Sequence, residues 1–338
     1  MKPWKVHAAL ASGLPLLLVL GLSLGGTRIE VGSVWADLIN AGGASSLSPA
    51  DQASRTIMFD LRLPRVLLAV LVGASLAMAG ALLQTATRND LADPFLFGLS
   101  SGAAAGAVAV ISLTGERFGV WTLPLAAFAG GMVAAGGVLL LAQRSAGQGA
   151  ERIVLAGLAM SFLFGALTHV LVFAGDQRAA HSVLFWSLGG LGLARWDNLP
   201  LALAGCLGLA VFVAARHRAL DALLAGDEVA HSLGVAPQRL RNQVLVVTAL
   251  ATACCVALTG VIGFVGLMVP HLMRRSAGLL HAALIPACAL LGALLMVGSD
   301  LLARTVMAPQ ELPVGIVTAS IGAAFVIALL WRRSLAAD

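Results

Sequence analysis

The amino-acid sequence predicts an all-α, polytopic membrane protein with about ten transmembrane helices. Three observations carry this. Of 338 residues, 59% are hydrophobic and only 11% are charged, where a soluble domain carries about 25%. Mean hydropathy is +0.94. The apolar runs are continuous rather than alternating, which suits helices and not a β-barrel.

A membrane helix needs about 20 apolar residues, and such runs fall at 7–24, 64–83, 95–113, 119–142, 153–174, 198–215, 282–303 and 312–331. The first begins with Lys2 and Lys5, but its length and the lack of an A-x-A site favour an uncleaved span over a signal peptide. The stretch from Gln243 to Met273 has no Asp, Glu, Lys or Arg and is too long for one span. Lys2 and Lys5 place the N-terminus in the cytoplasm, and Arg332 and Arg333 place the C-terminus there. Both ends inside requires an even number of spans. The long stretch therefore divides into helices at roughly 243–259 and 262–276, turning near Gly260, which makes ten.

This topology puts Lys2, Lys5, Arg88, Arg144, Arg152, Arg216, Arg218, Arg239, Arg241, Arg274, Arg275, Arg332 and Arg333 inside. Arg28, Arg55, Arg62, Arg65, Arg117, Arg178, Arg195 and Arg304 lie outside, so the bias has the expected sign. The chain reads as one transmembrane domain over 1–338, with a polar cytoplasmic loop at 216–241. Outside, 25–63 is a long segment with a short surface helix expected at Val31–Asn40, and another around His181–Leu188.

Several function classes are excluded or weakened. The net charge of +5 comes mostly from arginines flanking apolar runs and reports orientation, not nucleic-acid binding. The only lysines are Lys2 and Lys5, so there is no G-x-x-x-x-G-K-[ST] phosphate loop and the chain is not its own P-loop ATPase. Cys206, Cys254, Cys255 and Cys288 lie in apolar runs without a C-x-x-C, as packing residues do. No H-E-x-x-H occurs, and no metal site is expected. His169, mid-span, is expected to bond between helices. Tyrosine is absent, so an interfacial belt must use Trp4, Trp121, Trp196 and Trp331.

Gly98-Leu99-Ser100-Ser101-Gly102 matches G-x-S-x-G, but that motif needs a strand-to-helix turn, and here it opens an apolar helix. Ser100 reads as a cap. Small residues recur at four-residue spacing, as at Gly21 and Gly25, Gly102 and Gly106, Gly157, Ser161 and Gly165, and Gly315, Ala319 and Ala323, which lets helices approach closely in lipid. Asp300 stands four residues before Arg304, the spacing of a local ion pair on a helix. A proton-relay role for this acid is the alternative.

Two dense features remain. In the loop, Gly226 precedes Asp227, a residue type that caps helices, and Glu228 adds negative charge where the helix dipole favours it. Val229, Ala230 and Leu233 make a small apolar face, and Gly234 supplies a left-handed stop before Pro237. So short a helix does not stand alone; it is either part of a solvated connector or leans on a partner. In the second feature, Gly260, Gly263 and Gly266 recur every three residues, a nearly bare face on a helix, and Pro270, beside His271, frees a carbonyl. Close packing alone and a nearby passage are both consistent with it.

These residues resemble the FecCD-type permeases, the membrane subunits of ATP-binding-cassette importers for ferric siderophores, haem and vitamin B12. The likeness runs from about Leu61 to Leu330. It rests on LRLPR at 61–65, GASLAMAGALLQ at 73–84, RNDLADPFLFGLSSGA at 88–103, LAGLAM at 155–160, FWSLGG at 185–190, LAGDEVAHSLGV at 224–235, GVIGFVGLMVPHLMR at 260–274, SDLLAR at 299–304 and ELPVGIVTASIGA at 311–323.

The resemblance implies a type II importer permease: a homodimer in the bacterial cytoplasmic (inner) membrane with a passage on its two-fold axis. Two cytoplasmic ATPase subunits would hold ATP and Mg²⁺, and an external solute-binding protein would deliver the ligand. This chain would bind no cofactor and would not be an enzyme. Asp227, Glu228, Val229, His231, Leu233 and Gly234 would form the ATPase-coupling helix, with Val229 and Leu233 as its apolar anchors. Arg62, Arg65 and Arg304 match positions that receive acidic knobs of the binding protein, and Asn89 and Leu91 match a cytoplasmic gate. Gly260, Gly263, Gly266, Pro270 and His271 match the family's translocation and packing motif. The chain departs from the pattern at Asp90 and Ala324, where proline is usual, and at Leu280-His281-Ala282, where D-H-R is usual.

Overall fold

The computed structural model describes residues 3–25, 32, 49–113, 119, 121–144, 151–175 and 177–334. Lys2, Arg28, Arg117 and, apart from Gly32, the surface helix expected at Val31–Asn40 lie outside the described residues. The helices are α1 (Pro3–Ser23), α2 (Pro49–Thr56), α3 (Leu63–Thr87), α4 (Leu99–Leu113), α5 (Thr122–Arg144), α6 (Glu151–Ala174) and α7 (Gln177–Ser187). Then come α8 (Leu199–Ala225), α9 (Asp227–Ser232), α10 (Pro237–Thr259), α11 (Val265–Ala277), α12 (His281–Thr305) and α13 (Val314–Ser334). A π-helical stretch, Ile57–Arg62, joins α2 to α3, and a 3₁₀ turn, Pro94–Phe97, precedes α4.

Each of the ten expected spans coincides with a helix. Eight are long and apolar enough to cross a bilayer; α4, with 15 residues, and α11, with 13, are shorter. At 1.5 Å per residue α11 covers only about 20 Å. The expected helix at 262–276 is corrected here: 260–264 is not helical. Gly260 (φ 67°) and Phe264 (φ 69°) both take positive φ, which no helix accommodates. Gly260, Gly263 and Gly266 therefore do not share a helical face.

At the centre lies α3, with 20 of its 25 residues buried. Its run of alanine, glycine and serine explains why: lipid gives no hydrophobic drive between helices, so association follows close van der Waals packing. Gly73 meets the backbone of Gly292 in α12, and Gly80 meets Gly266 in α11, so closely that a Cβ at either place would collide. Gly102 and Gly130, and Gly106 and Ala126, join α4 to α5 in the same way. Gly165 faces open space instead.

Contacts at the helix ends give direction. His7 at the start of α1 bonds the Ala283 carbonyl at the start of α12. The far end of α1 takes hydrogen bonds from Arg304, at the end of α12, and from Arg62, just before α3. Hence α1 and α12 run parallel, and α3 runs against both. Polar groups collect at the two ends of this bundle. Trp4, Trp121, Trp196 and Trp331 are all exposed, as a membrane belt requires. His169 differs from expectation: it lies on the exposed face of α6 and makes no hydrogen bond among the described residues, because α6 buries only Ile153, Ala156, Gly157 and Met160.

Candidate functional site

At one end, the polar loop folds as expected into the short helix α9. Gly234 ends it with φ 77°, a conformation that suits glycine. Ala230 turns inward and is fully buried, so it is not part of the outer face. Val229 and Leu233 point outward, 43% and 67% exposed, four residues apart. Glu228 and His231 are exposed beside them.

Asp227 does not cap the helix. Gly226 occupies the cap position, and no side-chain cap bond forms. The Asp227 carboxylate instead accepts two hydrogen bonds from the Arg241 guanidinium, at 2.8 and 2.7 Å, a fork-on-carboxylate geometry stronger than a neutral cap. Arg88 Nη2 approaches the same carboxylate at 2.9 Å. The Arg241 bond holds this carboxyl below the usual range against the opposing effect of desolvation, and the charges of Arg241 and Arg88 add to it. Arg241 also donates to the Ala86 carbonyl at the end of α3. Arg241 and Arg88 thereby tie α9 to the point where α3 gives way to the next loop.

That loop holds the expected gate residues. Arg88 ends α3 in the left-handed region. Asn89 Oδ1 accepts from the Leu91 N–H at 2.9 Å, a local Asx turn. Leu91 is exposed. Asp90, the departure from the family's proline, pairs with Arg274 of α11 at 2.8 Å. Where proline would stiffen the turn by fixing φ, an ion pair fastens it to a neighbouring helix.

Two buried side chains that sequence reasoning passed over complete the loop. Asp93 accepts the Phe95 N–H at 2.8 Å, starting the 3₁₀ turn, and bonds the backbone of Leu267, near the start of α11. Gln84 Nε2 donates to the carbonyls of Ala92, Gly266 and Leu267. Residue 270 is the regular i+4 partner of the Gly266 carbonyl, and Pro270 has no N–H to give. The carbonyl that Pro270 frees is thus the one Gln84 takes up. His271 packs edge-on against Phe325 of α13, centroids 5.5 Å apart.

A third junction at this end explains the missing D-H-R. Asp221 of α8 accepts both the N–H and Nδ1 of His281, at 2.9 and 2.6 Å, and His281 Nε2 lies 2.9 Å from Thr85 Oγ1. With Leu280 in place of aspartate, a carboxylate from another helix caps α12.

Between the ends lies a largely apolar cavity of about 510 Å³, bordered by Leu188, Val261, Gly263, Phe264, Gly315 and Ser320, with Asp93 and Phe95 on its floor. Gly260 abuts the Trp186 carbonyl and Gly315 the Leu188 carbonyl, while Gly263 is open to the space. The non-helical 260–264 strip is therefore a wall of the cavity.

At the opposite end the three expected docking arginines come together but face inward. Arg62 donates to the carbonyls of Leu22 and Ser23, and Arg304 to those of Gly21 and Leu24. Both are buried and serve as the C-terminal cap of α1. The expected Asp300–Arg304 pair is present at 3.0 Å. Arg65 bonds Asp300 at 2.9 Å and the exposed Glu311 at 2.8 Å. Of the three, Arg65 reaches nearest to solvent, beside Glu311. Ser100 is buried in α4 by helix packing rather than exposed at a strand-to-helix turn.

A helical membrane bundle with an apolar cavity, a cavity-lining unwound segment and a short, outward-facing helix bonded to the cavity's floor defines a transport permease. A family model for the FecCD transport family matches residues 13–332. The chain belongs to that family. It is 36% identical to the hemin transport system permease protein of Yersinia pestis, over 97% of both chains. It is 38% identical to the Fe(3+)-citrate import system permease protein of Bacillus subtilis, covering 97% of this chain and 95% of that one. With the cobalamin import system permease protein of Halobacterium salinarum it shares 39%, over 91% and 82%. A solved inward-facing conformation of a metal-chelate type ABC transporter superposes with a TM-score of 0.83 at 29% identity, over 97% and 99%. PsaBC of Streptococcus pneumoniae shares the fold alone, with a TM-score of 0.55 at 12% identity.

Proposed function

We propose that this chain is the membrane half of an ATP-driven importer for a metal chelate, with a ferric siderophore the first candidate and haem or vitamin B12 the next. Two copies would enclose the passage in the cytoplasmic (inner) membrane, with both termini in the cytoplasm. Two ATPase subunits carrying ATP and Mg²⁺ would engage α9, and an external binding protein would dock at the opposite end, near Arg65 and Glu311.

One observation carries the reading. The helix that exposes Val229 and Leu233 is joined by Asp227 and Arg88 to the loop flooring the cavity. A push on α9 from a partner therefore has a bonded route to the gate. The pairing of two copies is supported by α6, whose open face carries Leu155, Phe162, Phe173 and the polar His169. An unpartnered imidazole is costly against lipid and suits a protein-lined passage. The substrate class follows the hemin, cobalamin and Fe(3+)-citrate systems among the relatives.

The test is uptake of a ferric chelate into liposomes containing the permease, its ATPase and its binding protein. Leu233→Asp is expected to reduce ATP-driven uptake to the level without ATP while leaving membrane insertion normal. Undiminished uptake by that variant would sink the coupling role. Uptake driven by a pH gradient, without ATPase or binding protein, would replace the reading with proton-coupled secondary transport.

A further inference from the structure

The ends of α8 and α10 that flank α9 border a groove separate from the cavity described above. Its volume is about 440 Å³, and its walls are Phe212 and Arg216 from α8 with Arg239, Gln243, Val246 and Val247 from α10. Helical spacing puts these on one face of each helix: 212 and 216 are one turn apart, as are 239, 243 and 246–247.

The lining changes character with depth. Gly205 of α8 packs against Ala251 and Cys254 of α10, so in this antiparallel pair Arg216 lies level with about residue 241 and Phe212 with about residue 245. At 1.5 Å per residue, Phe212 lies about 6 Å deeper than Arg216, and Val246 about 10 Å deeper than Arg239. Positive and amide groups therefore occupy the aqueous end and apolar groups the membrane end. Neither Arg216 nor Arg239 has an ion-pair partner among the described residues, whereas Arg88, Arg241 and Arg274 are all paired. No acidic residue lines the groove; its other polar group is Asn242.

We propose that this groove binds one anionic phospholipid of the cytoplasmic leaflet. Arg216 and Arg239 would hold the phosphate from two sides, with the amides of Asn242 and Gln243 as further donors. Phe212, Val246 and Val247 would carry the upper part of an acyl chain. An acidic peptide matches the arginines but not the apolar depth; a neutral lipid matches the depth but leaves two guanidinium groups unpaired. Basic pockets between helices at the cytoplasmic face are suited to anionic headgroups. The inference needs only the orientation read from the arginine distribution, and stands whatever the transported ligand.

The test is native mass spectrometry of the full-length assembly released from nanodiscs of mixed phosphatidylglycerol and phosphatidylcholine. The wild type is expected to retain phosphatidylglycerol. R216Q/R239Q is expected to weaken that retention by roughly 25-fold, about fivefold for each arginine. Val246→Trp, which keeps both charges but fills the groove, should also lose the lipid. R218Q/R275Q, which removes two cytoplasmic arginines outside the groove, should stay within about twofold of wild type. Wild-type retention by both groove variants would overturn the proposal. So would equal loss from the two arginine pairs, which would mean a diffuse field, or loss of co-purifying ATPase from R216Q/R239Q with lipid retention intact.

Discussion

The two ends of this bundle are built from the same materials, arginines and carboxylates gathered at the two ends of α3, yet they are opposite in kind. Around Asp300, Arg62 and Arg304 are sunk into the protein and anchored on the carbonyls of α1. Around Asp227, Arg241 is buried, but the carboxylate it holds and Arg88 are each 42% exposed, and Asp90 is 66% exposed. Buried charges held on all sides are expensive to uncouple. Exposed pairs break and remake at little cost. The first end is thus a fixed frame, and the second is a joint.

The largest expected effect tests the frame. Asp300→Ala leaves Arg65 and Arg304 without their shared buried counter-charge, which is expected to cost about 3–5 kcal/mol. Thermal unfolding in detergent should show this as a large fall in Tm or as failure to accumulate. A change no larger than that of a surface substitution would mean that the Asp300 cluster is not a strut.

A smaller effect lies beside the joint, at the seam where α3 meets α11. Gln84→Leu removes the donor to the carbonyl that Pro270 frees, and an orphaned buried polar group costs about 1–3 kcal/mol. Adding Pro270→Ala to the Gln84→Leu variant restores an N–H and should recover part of the loss, because the helix then satisfies Gly266 itself. No recovery would show that the Gln84 bond to Gly266 is incidental.

The sequence made the frame legible and the seam only half so. Continuous apolar runs located eight of the ten spanning helices, the parity of the termini divided the remaining stretch into two, and the i, i+4 spacing of Asp300 and Arg304 announced their pair. Gly234 and Pro270 were read correctly because their backbone constraints are local. Local reasoning also produced the errors. The glycine triplet looked like one helical face because spacing cannot reveal positive φ at Phe264. Asp227 looked like a cap because a capping residue gives no sign that Arg241, fourteen residues on, will claim its carboxylate. Asp93, Gln84 and Asp221 were passed over because their partners lie in distant elements: Leu267, Gly266 and His281. The nearest signal was each one's polarity inside an otherwise apolar stretch.

The smallest effect concerns the joint itself and runs through pH. The Asp227 carboxyl is held below its ordinary range, first by the Arg241 hydrogen bond. A carboxylate with a depressed folded pKa contributes stability that is complete above the unfolded value, about 3.9. That contribution is lost as pH falls through the lower folded value. Between pH 8 and 5 the joint should therefore be unchanged, and it should loosen only below about pH 4. Because the group is half exposed, its share of global stability should stay under about 1 kcal/mol. Hydrogen exchange at 226–236, corrected for the intrinsic pH dependence of exchange, reads the joint directly. The wild type should lose protection there only in the acid range. Asp227→Asn should show the lower protection at every pH, with Tm almost unmoved and ATP-driven uptake reduced. If the variant instead lost global stability as Asp300→Ala does, both ends would be frame, and the mechanical reading of α9 would need another element to move.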